Sequence, residues 1–288
     1  MKKILVTGGA GFIGTNLIKN LVEKSNKVYS LDNYSMGSKS NHVSRAHYVE
    51  GDINQIEKLI NFNPDFVFHL GEYSRVEESF NDMPIVFNTN IKGLYEILKF
   101  CVNSKAKLIY AGSSTKFATG PEKERSSPYS WSKAANTEFI KNYSNWYNLD
   151  YAITYFYNAY GPFERTSGKY ATLIGIFTKL MQCGKTLTVV KPGTQVRNFT
   201  HVDDIVSGLM TVAEKGSGDG FGIGNKNQYS VLEVARMFGG KIQYIPERPG
   251  NREGAVLKDK LTKDLGWRPQ IQLEEYINQL KHNNWQIS

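Results

Sequence analysis

The chain of 288 residues contains only two cysteines and no long apolar run. Cys101 and Cys183 stand far apart and lack metal-ligand spacing with histidine or with each other. We therefore expect buried small side chains rather than a disulfide, and no structural metal. The first apolar run, residues 4–6, is far shorter than the roughly 20 residues that cross a membrane, and no secretion-signal pattern surrounds it. A cytoplasmic protein without a membrane partner is expected.

A dense basic segment is also missing, although 35 Lys and Arg against 27 Asp and Glu give a formal net charge of +8. The basic residues are scattered and are not interleaved with aromatic residues, which argues against nucleic acid as a partner. Scattered positive charge instead steers small anionic ligands to a protein. Without an internal repeat or a low-complexity linker, the length suits one large α/β domain or a nucleotide-binding domain with a smaller lobe.

The most informative segment is residues 7–14, with the sequence TGGAGFIG. Gly8 permits a tight turn, Gly11 lets the backbone approach a diphosphate, and Gly14 permits close packing of a helix on a sheet. The N–H groups at the start of that helix bind the anion. About 20 residues further on, Asp32 ends a second predicted strand, where a carboxylate binds the adenosine ribose and repels the extra phosphate of NADP. The segment therefore predicts NAD as the cofactor.

A second group of residues has the chemistry of a catalytic site. Tyr129 and Lys133 are four residues apart, so on a helix they project from the same face. A free tyrosine, with a pKa of about 10, needs about 4 kcal/mol of preferential phenolate stabilisation to act as a base near neutral pH. A neighbouring lysine and a nicotinamide cation can supply it. The hydroxyls at 113–115 follow a predicted strand and can hold a substrate alcohol.

Strand-like and helix-like segments alternate through the first 160 residues, which favours a doubly wound sheet. Strands are predicted at 3–7, 27–31, 46–49, 65–69, 107–112, 151–155 and 187–190. Later elements are shorter, with turns predicted at 191–193, 216–220 and 248–250. The predicted fold is a Rossmann-type α/β fold with a largely parallel sheet. An NAD-binding domain would span 1–160 and carry the catalytic residues, and a smaller C-terminal α/β substrate lobe would span 161–288, with some elements returning to the main sheet.

Nearly the whole chain resembles the extended short-chain dehydrogenase/reductase family, in particular its nucleotide-sugar epimerases and dehydratases. The resemblance rests on the glycine loop, on the YSWSK segment at 129–133 and on further short motifs along the chain. These motifs are Asp32-Asn33, 51–53, 69–70 through Ser79 and Pro84, 90–93, 158–162, 195–199, 201–204, 248–251 and 265–269. The resemblance implies a nucleotide-diphosphate-sugar substrate.

The resemblance also implies roles for single residues. Tyr129 would be the base, Lys133 would bind the nicotinamide ribose, and Ser114 would hydrogen-bond the reacting sugar hydroxyl. The implied cofactor contacts are Gly8, Gly11, Phe12, Ile13, Gly14, Asp32, Asn33, Asp52, Ile53, Leu70 and Lys133. The implied substrate contacts are Ser114, Asn158, Arg197 and Arg248, the arginines being suited to a diphosphate by their planar fork. Asp203 and Asp204 are expected to cap the helix after His201.

The implied reaction begins with removal of the sugar C4-hydroxyl proton by Tyr129 and hydride transfer to NAD, which gives a 4-keto sugar. The 4,6-dehydratases carry an acid and a base where this chain has Thr115 and Lys116, and neither of these is a carboxylate. Dehydration is therefore disfavoured. Of the two remaining reactions, 4-epimerisation is predicted because it is the common activity among similar chains. Net C4 oxidation with release of the keto sugar is the alternative, and a 4,6-dehydratase or a non-catalytic NAD-binding regulator fits the sequence less well.

Departures from the family pattern cluster near the predicted nicotinamide and sugar. Residues 117–119 replace the usual Val-Tyr-Gly, Tyr155 stands where an arginine is commoner, and Gly71-Glu72 replaces a small pair. Glu72 is expected either to bind an unusual sugar or to point to solvent. A substrate other than UDP-glucose is compatible with these changes, and sugars of capsules or surface glycans are candidates by analogy. The family also implies a homodimer formed through helices around 91–102 and 131–147.

Overall fold

The structure is a computed structural model, and it describes residues 1–119, 127–247 and 254–286. The strands are β1 Lys3–Thr7, β2 Lys27–Asp32, β3 His47–Glu50, β4 Phe66–His69, β5 Lys107–Ser113, β6 Ala118–Thr119, β7 Tyr151–Phe156, β8 Ala159–Tyr160, β9 Leu187–Val190, β10 Val196–Asn198, β11 Thr200–His201, β12 Gly218–Ile223, β13 Gln228–Ser230, β14 Ile242–Ile245 and β15 Gly254–Ala255. The α-helices are α1 Phe12–Glu23, α2 Ile56–Leu59, α3 Met83–Val86, α4 Gly93–Ser104, α5 Pro128–Tyr147, α6 Leu173–Gln182, α7 Val202–Lys215, α8 Val231–Phe238, α9 Lys260–Asp264 and α10 Leu273–His282.

A seven-stranded parallel sheet forms the centre of the molecule, in the order β12-β7-β5-β4-β1-β2-β3. The last four residues of β1 are buried, as expected of a strand that is covered on both faces. The chain runs from β1 outward to β3 and then returns to β4 on the other side of β1. This reversal leaves a crevice at the carboxyl ends of β1 and β4, where such sheets bind ligands. The predicted Rossmann-type doubly wound fold is confirmed.

Helices cover both faces of this sheet. On one face, α4 and α5 bury apolar side chains such as Leu94 and Ile140 against β5 and β7. On the other face, α1 and α7 bury Leu17 and Leu209 against β1 and β4. A third apolar cluster, around Phe177, joins α6, α8 and α10 in the C-terminal part of the chain. The sheet edge that carries the predicted site residues is therefore fixed by packing on both sides.

The strand predicted at 187–190 is confirmed as β9, and it pairs with β14 in a separate two-stranded sheet. The turn predicted at 216–220 is wrong, because β12 begins at Gly218 and pairs with β7 at the edge of the main sheet. Gly218 and Gly220 have φ values of +88° and +108°, and the register shifts before Phe221. Glycines that allow such an irregular edge strand have the same sequence pattern as a turn.

The two aspartates after His201 have different roles from the expected one. The His201 side chain caps α7 by accepting a hydrogen bond from the Asp203 N–H at 3.2 Å. The buried Asp204 carboxylate instead accepts backbone N–H bonds from Gln270 at 2.9 Å and Ile271 at 3.0 Å. The prediction that Asp204 caps the helix is wrong, since this side chain holds a later segment onto α7. Its partners lie 66 and 67 residues away, so local sequence does not reveal them.

Both cysteines are free, and Cys101 is buried as expected, whereas Cys183 is exposed, contrary to the prediction. Among the described residues, no helix is long and apolar enough to cross a bilayer. The same residues contain no group of three or more His, Cys, Asp or Glu side chains that could hold a metal ion. The turn predicted at 248–250 lies outside the described part of the chain.

Candidate active site

A cleft at the carboxyl ends of β1, β2 and β4, called here the cofactor cleft, is lined by every residue predicted to contact the cofactor. These residues are Gly8, Gly11, Phe12, Ile13, Gly14, Asp32, Asn33, Asp52, Ile53, Leu70 and Lys133. A second cavity, called here the side cavity, adjoins it and has a volume of about 440 Å³. Ser114, Asn158 and Arg197 line the side cavity, and Arg248 lies outside the described residues.

The glycine loop has the shape that a dinucleotide diphosphate requires. Gly8 has φ +69°, and a Cβ there would lie 2.8 Å from the Gly71 Cα. A Cβ on Gly14 would lie 2.2 Å from the Gly8 carbonyl oxygen, so only glycine lets α1 start this close to the loop. At Gly11 a Cβ would meet only the Gly8 carbonyl oxygen, at 3.2 Å. The space beside Gly11 is therefore open to a ligand, next to the N-terminus of α1.

Asp32 holds a fixed position at the other end of the cleft. Its side chain is buried at the end of β2 and accepts N–H bonds from Ala10 at 2.9 Å and Tyr34 at 2.8 Å. A carboxylate has further lone pairs, which remain suited to ribose hydroxyls. Asp52 lines the same end and caps a short 3₁₀ turn through the Asn54 N–H. The residues present therefore fit the adenosine half of NAD.

The start of α5 brings Tyr129 and Lys133 to the junction of the two cavities. Ser127 caps this helix by accepting the Ser130 N–H at 3.1 Å, and Pro128 occupies its first turn, where a missing N–H causes no loss. Tyr129 and Lys133 are both buried on the face toward the cleft. Tyr129 also lines the side cavity together with Ser114, which begins a 3₁₀ turn directly after β5. The structure thus brings the three predicted catalytic residues together.

Lys133 is held by a buried network around Glu72. Its Nζ forms a short ion pair with Glu72 Oε2 and donates to the Ala111 carbonyl oxygen at 2.6 Å. The Tyr110 hydroxyl donates to Glu72 Oε2 at 3.0 Å, and the Asn136 amide donates to Glu72 Oε1 at 3.1 Å. The ammonium group therefore has a buried counter-ion and a fixed direction beneath the cofactor cleft.

The position of Glu72 differs from both sequence-based expectations. Its carboxyl group is buried, and it lines the cofactor cleft rather than the side cavity, so it neither points to solvent nor faces the expected sugar site. Burial raises the pKa of Glu72, but the Lys133 charge and the neighbouring His69 outweigh it and hold that pKa below its usual value. Glu72 is therefore a carboxylate at neutral pH. Lys133 and Asn136 lie 61 and 64 residues further along the chain, which hides this pairing from local sequence.

The two residues at the dehydratase acid and base positions do not supply such groups. Thr115 lines the side cavity, and its hydroxyl donates to Ser113 Oγ at 2.9 Å. Lys116 Nζ donates to Thr137 Oγ1 at 2.8 Å and lies 3.5 Å from Asp219 Oδ2, and it does not line the side cavity. No Asp or Glu lines the side cavity in the described part of the chain. The described lining thus offers a tyrosine, and no carboxyl group, for proton exchange.

Arg75 is a residue of the site that sequence reasoning missed. It lines both the cofactor cleft and the side cavity, and its guanidinium carbon lies 5.8 Å from the centre of the Tyr170 ring. Its Nε is buried and has no hydrogen-bond partner among the described residues. Burial lowers the pKa of Arg75, although an arginine stays protonated in proteins. In the sequence, Arg75 is marked by its position in the segment after His69-Leu70. That position does not show where the side chain points.

Rossmann-type enzymes that carry a serine beside a tyrosine and lysine four residues apart form the short-chain dehydrogenase/reductase class. The fold and the arrangement of Ser114, Tyr129 and Lys133 put this protein in that class. Residues 4–224 match the NAD dependent epimerase/dehydratase family, and the chain belongs to that family. It is therefore an enzyme of the extended short-chain dehydrogenase/reductase type, and its cofactor is NAD.

Similar proteins of known structure or activity match the chain along most of its length. The UDP-glucose 4-epimerase of Thermotoga maritima, solved with UDP-glucose, is 28% identical with a TM-score of 0.87, and 96% of each chain is covered. The UDP-glucose 4-epimerase of Thermus thermophilus, solved with NAD, is 25% identical with a TM-score of 0.88, and 98% of each chain is covered. A dTDP-D-glucose 4,6-dehydratase of Bos taurus is 28% identical over 96% of this chain and 86% of its own length.

Proposed function

We propose that the protein is an NAD-dependent 4-epimerase of nucleotide-diphosphate sugars. The observation that carries the proposal is the junction of the two cavities, where Tyr129 borders both and Ser114 faces it from the side cavity. A substrate in the side cavity would present a hydroxyl to these two residues while its carbon faces the cofactor cleft. The similarity to two UDP-glucose 4-epimerases supports the same activity.

In this proposal Tyr129 removes the proton from the C4 hydroxyl of the sugar, and Ser114 hydrogen-bonds the same oxygen. Lys133, fixed by Glu72 and Ala111, binds the nicotinamide ribose and stabilises the phenolate of Tyr129. NAD, when bound, supplies the hydride acceptor and donor at C4. The 4-keto sugar then turns over within the side cavity, while Arg197 and Arg248 bind the diphosphate. Tyr129 returns its proton to the oxygen of the inverted C4.

Two other reactions share the first step. A C4-dehydrogenase would release the 4-keto sugar, and a 4,6-dehydratase would remove water across C5 and C6. Dehydration has support from the similarity to the Bos taurus enzyme. The side cavity disfavours it, because its described lining offers no carboxyl group and Lys116 is directed to Thr137 and Asp219 instead. The remaining choice is between epimerisation and net oxidation.

The test is incubation of the purified protein with NAD and a panel of UDP-, GDP-, CDP- and dTDP-sugars. Products are followed by mass spectrometry and NMR, and NADH by its absorbance. We expect an isomer of unchanged mass without net NADH. A product two hydrogens lighter, with NADH formed, would identify a C4-dehydrogenase, and a product lighter by one water would identify a dehydratase.

We also propose a cytoplasmic homodimer. Large apolar side chains are exposed along the segment from 80 to 95 and along α5, and these are Phe80, Met83, Ile85, Phe87, Tyr95, Trp131, Trp146 and Tyr147. Exposed apolar surface of this kind is typical of an interface between proteins. Light scattering should give twice the monomer mass, and Trp146→Lys should lower that mass. A monomer at micromolar concentration would contradict the dimer without affecting the proposed reaction.

A further inference from the structure

Arg75 and Arg197 differ in which of the two cavities they line. Arg75 lines this cavity and also the cofactor cleft, as Tyr129 does, whereas Arg197 lines the side cavity alone. Arg75 therefore lies on the side where the proposed chemistry takes place. Arg197 does not line the cofactor cleft, and in the proposed function it binds the diphosphate of the substrate.

The charged side chains in the described lining of this cavity are both positive. Its described lining contains these two arginines and no Asp or Glu. Arg75 feels the charge of Glu78 but forms no ion pair with it or with another described residue, and the buried Nε has no hydrogen-bond partner there. The Tyr170 ring, with its centre 5.8 Å from the guanidinium carbon, stabilises the positive charge through a cation–π contact. It does not accept the N–H bonds that lie in the guanidinium plane. A buried N–H donor without an acceptor is unfavourable, so the site is suited to a ligand that brings an anion to the Nε of Arg75.

The chemistry of a nucleotide sugar limits what this anion can be. The diphosphate is attached at C1, across the ring from C4. If C4 faces Tyr129 and the diphosphate lies near Arg197, the diphosphate is at the wrong end to reach Arg75. The anion must then be a substituent of the sugar close to C4. The simplest is a C6 carboxylate, whose two oxygens match the planar fork of arginine.

We propose that Arg75 binds a carboxylate of the sugar and that the substrate is a nucleotide-diphosphate uronic acid. This inference rests on the proposed 4-epimerase function and names its substrate class. Arg75 thereby sets specificity, because a neutral hexose brings no carboxylate to accept from the buried Nε–H. The same contact fixes the ring with C4 beside Tyr129 and Ser114, which orients the reacting hydroxyl.

The experiment compares UDP-glucuronate with UDP-glucose as substrates of the enzyme saturated with NAD. For wild type we expect kcat/KM to be at least about 100-fold higher with the uronate, since a site built to bind a polar group strongly rejects an analogue that lacks it. In Arg75→Met the ratio of the two kcat/KM values should fall about 100-fold, mainly through KM for the uronate. Arg75→Lys should retain part of the ratio that Arg75→Met loses, because lysine keeps the positive charge but lacks the planar guanidinium that binds a carboxylate through two N–H groups.

Arg165→Met is the matched control, since Arg165 lines the cofactor cleft but not the side cavity and should leave the ratio unchanged. Melting temperatures and NAD dissociation constants are measured for every variant. A wild type that prefers the neutral sugar would overturn the inference while leaving the epimerase proposal intact. So would an Arg75→Met variant that loses NAD affinity and both activities equally, because Arg75 would then serve the cofactor.

If neither sugar is turned over, the epimerase proposal fails for this pair, and calorimetry on the NAD-loaded protein still decides the role of Arg75. Tighter binding of UDP-glucuronate than of UDP-glucose, lost in Arg75→Met, would support the carboxylate contact. Equal binding of both sugars would overturn it.

Discussion

The cofactor cleft and the side cavity meet at Tyr129 but are built in different ways. The cleft is formed mainly by short segments that directly follow β1, β2 and β4, and its shape depends on backbone and glycine. The side cavity is lined by residues from at least six distant segments, between Phe12 and Val231. The difference shows why cofactor choice can be encoded in local motifs, whereas substrate choice depends on side chains brought together by long-range packing.

The largest effect is expected at the residue that both regions share. Tyr129→Phe removes the proposed base and should lower kcat about a thousandfold, within the usual range for general acid–base groups. The fold and the affinity for NAD should be almost unchanged, because only one oxygen is lost. Steady-state kinetics and fluorescence titration with NAD measure both quantities. Tyr95→Phe, on the exposed face of α4, is the control, and equal activity of the two variants would refute the catalytic role.

The next effect concerns the buried Glu72–Lys133 ion pair, which lines the cofactor cleft beside Tyr129. Glu72→Gln leaves the buried Lys133 ammonium without a counter-ion and should lower the free energy of unfolding by about 3–5 kcal/mol. Urea denaturation without NAD measures the change. Glu50→Gln breaks the exposed pair with Lys39 and should change it by less than about 1 kcal/mol. Similar losses in the two variants would show that burial of the pair is unimportant.

A third effect lies behind the side cavity, at Glu164. Its buried carboxyl group hydrogen-bonds Thr172, which lines the cavity, and burial raises the pKa of Glu164 to about 7. The unfolded chain has the ordinary value of about 4.3, so the folded state binds the extra proton between these values. The stabilisation that Glu164 contributes is fully present below pH 4 and is lost as pH rises through about 7. From pH 5 to pH 8 this loss should reach about 2–3 kcal/mol.

Urea denaturation at pH 5 and pH 8 tests this pH dependence against Glu164→Gln, whose side chain does not titrate. The unfolding free energy of wild type minus that of the variant should fall by about 2–3 kcal/mol between pH 5 and pH 8. A difference that is the same at both pH values would mean that Glu164 keeps an ordinary pKa.

The smallest effect concerns cofactor choice in the cleft. Asp32→Asn keeps the size of the side chain but removes the charge that repels the extra phosphate of NADP. The ratio of the dissociation constants for NADP and NAD should fall about tenfold, equivalent to about 1.4 kcal/mol. Fluorescence titration with both cofactors measures the ratio. Asp65→Asn, a change outside the cleft, should leave it unaltered, and an unaltered ratio in Asp32→Asn would remove this residue from cofactor selection.

The sequence allowed the cofactor half of the site to be predicted because its signals are local. The order of strand, glycine loop, helix and Asp32 specifies a β-α-β unit without reference to the rest of the chain. The edge strand β12 was missed because its glycines have the pattern of a turn. The roles of Glu72 and Arg75 were missed for another reason: their surroundings include residues more than 50 positions away in the chain.

In the proposed epimerase reaction, hydride leaves C4 of the sugar and returns to C4 within one active site. The most direct test uses a nucleotide sugar that carries deuterium at C4, incubated with the NAD-loaded enzyme, with the product analysed by NMR and mass spectrometry. We expect a C4 epimer of unchanged mass that retains the deuterium at C4. Deuterium found on released NADH beside a 4-keto sugar, or a product that has lost water, would contradict it.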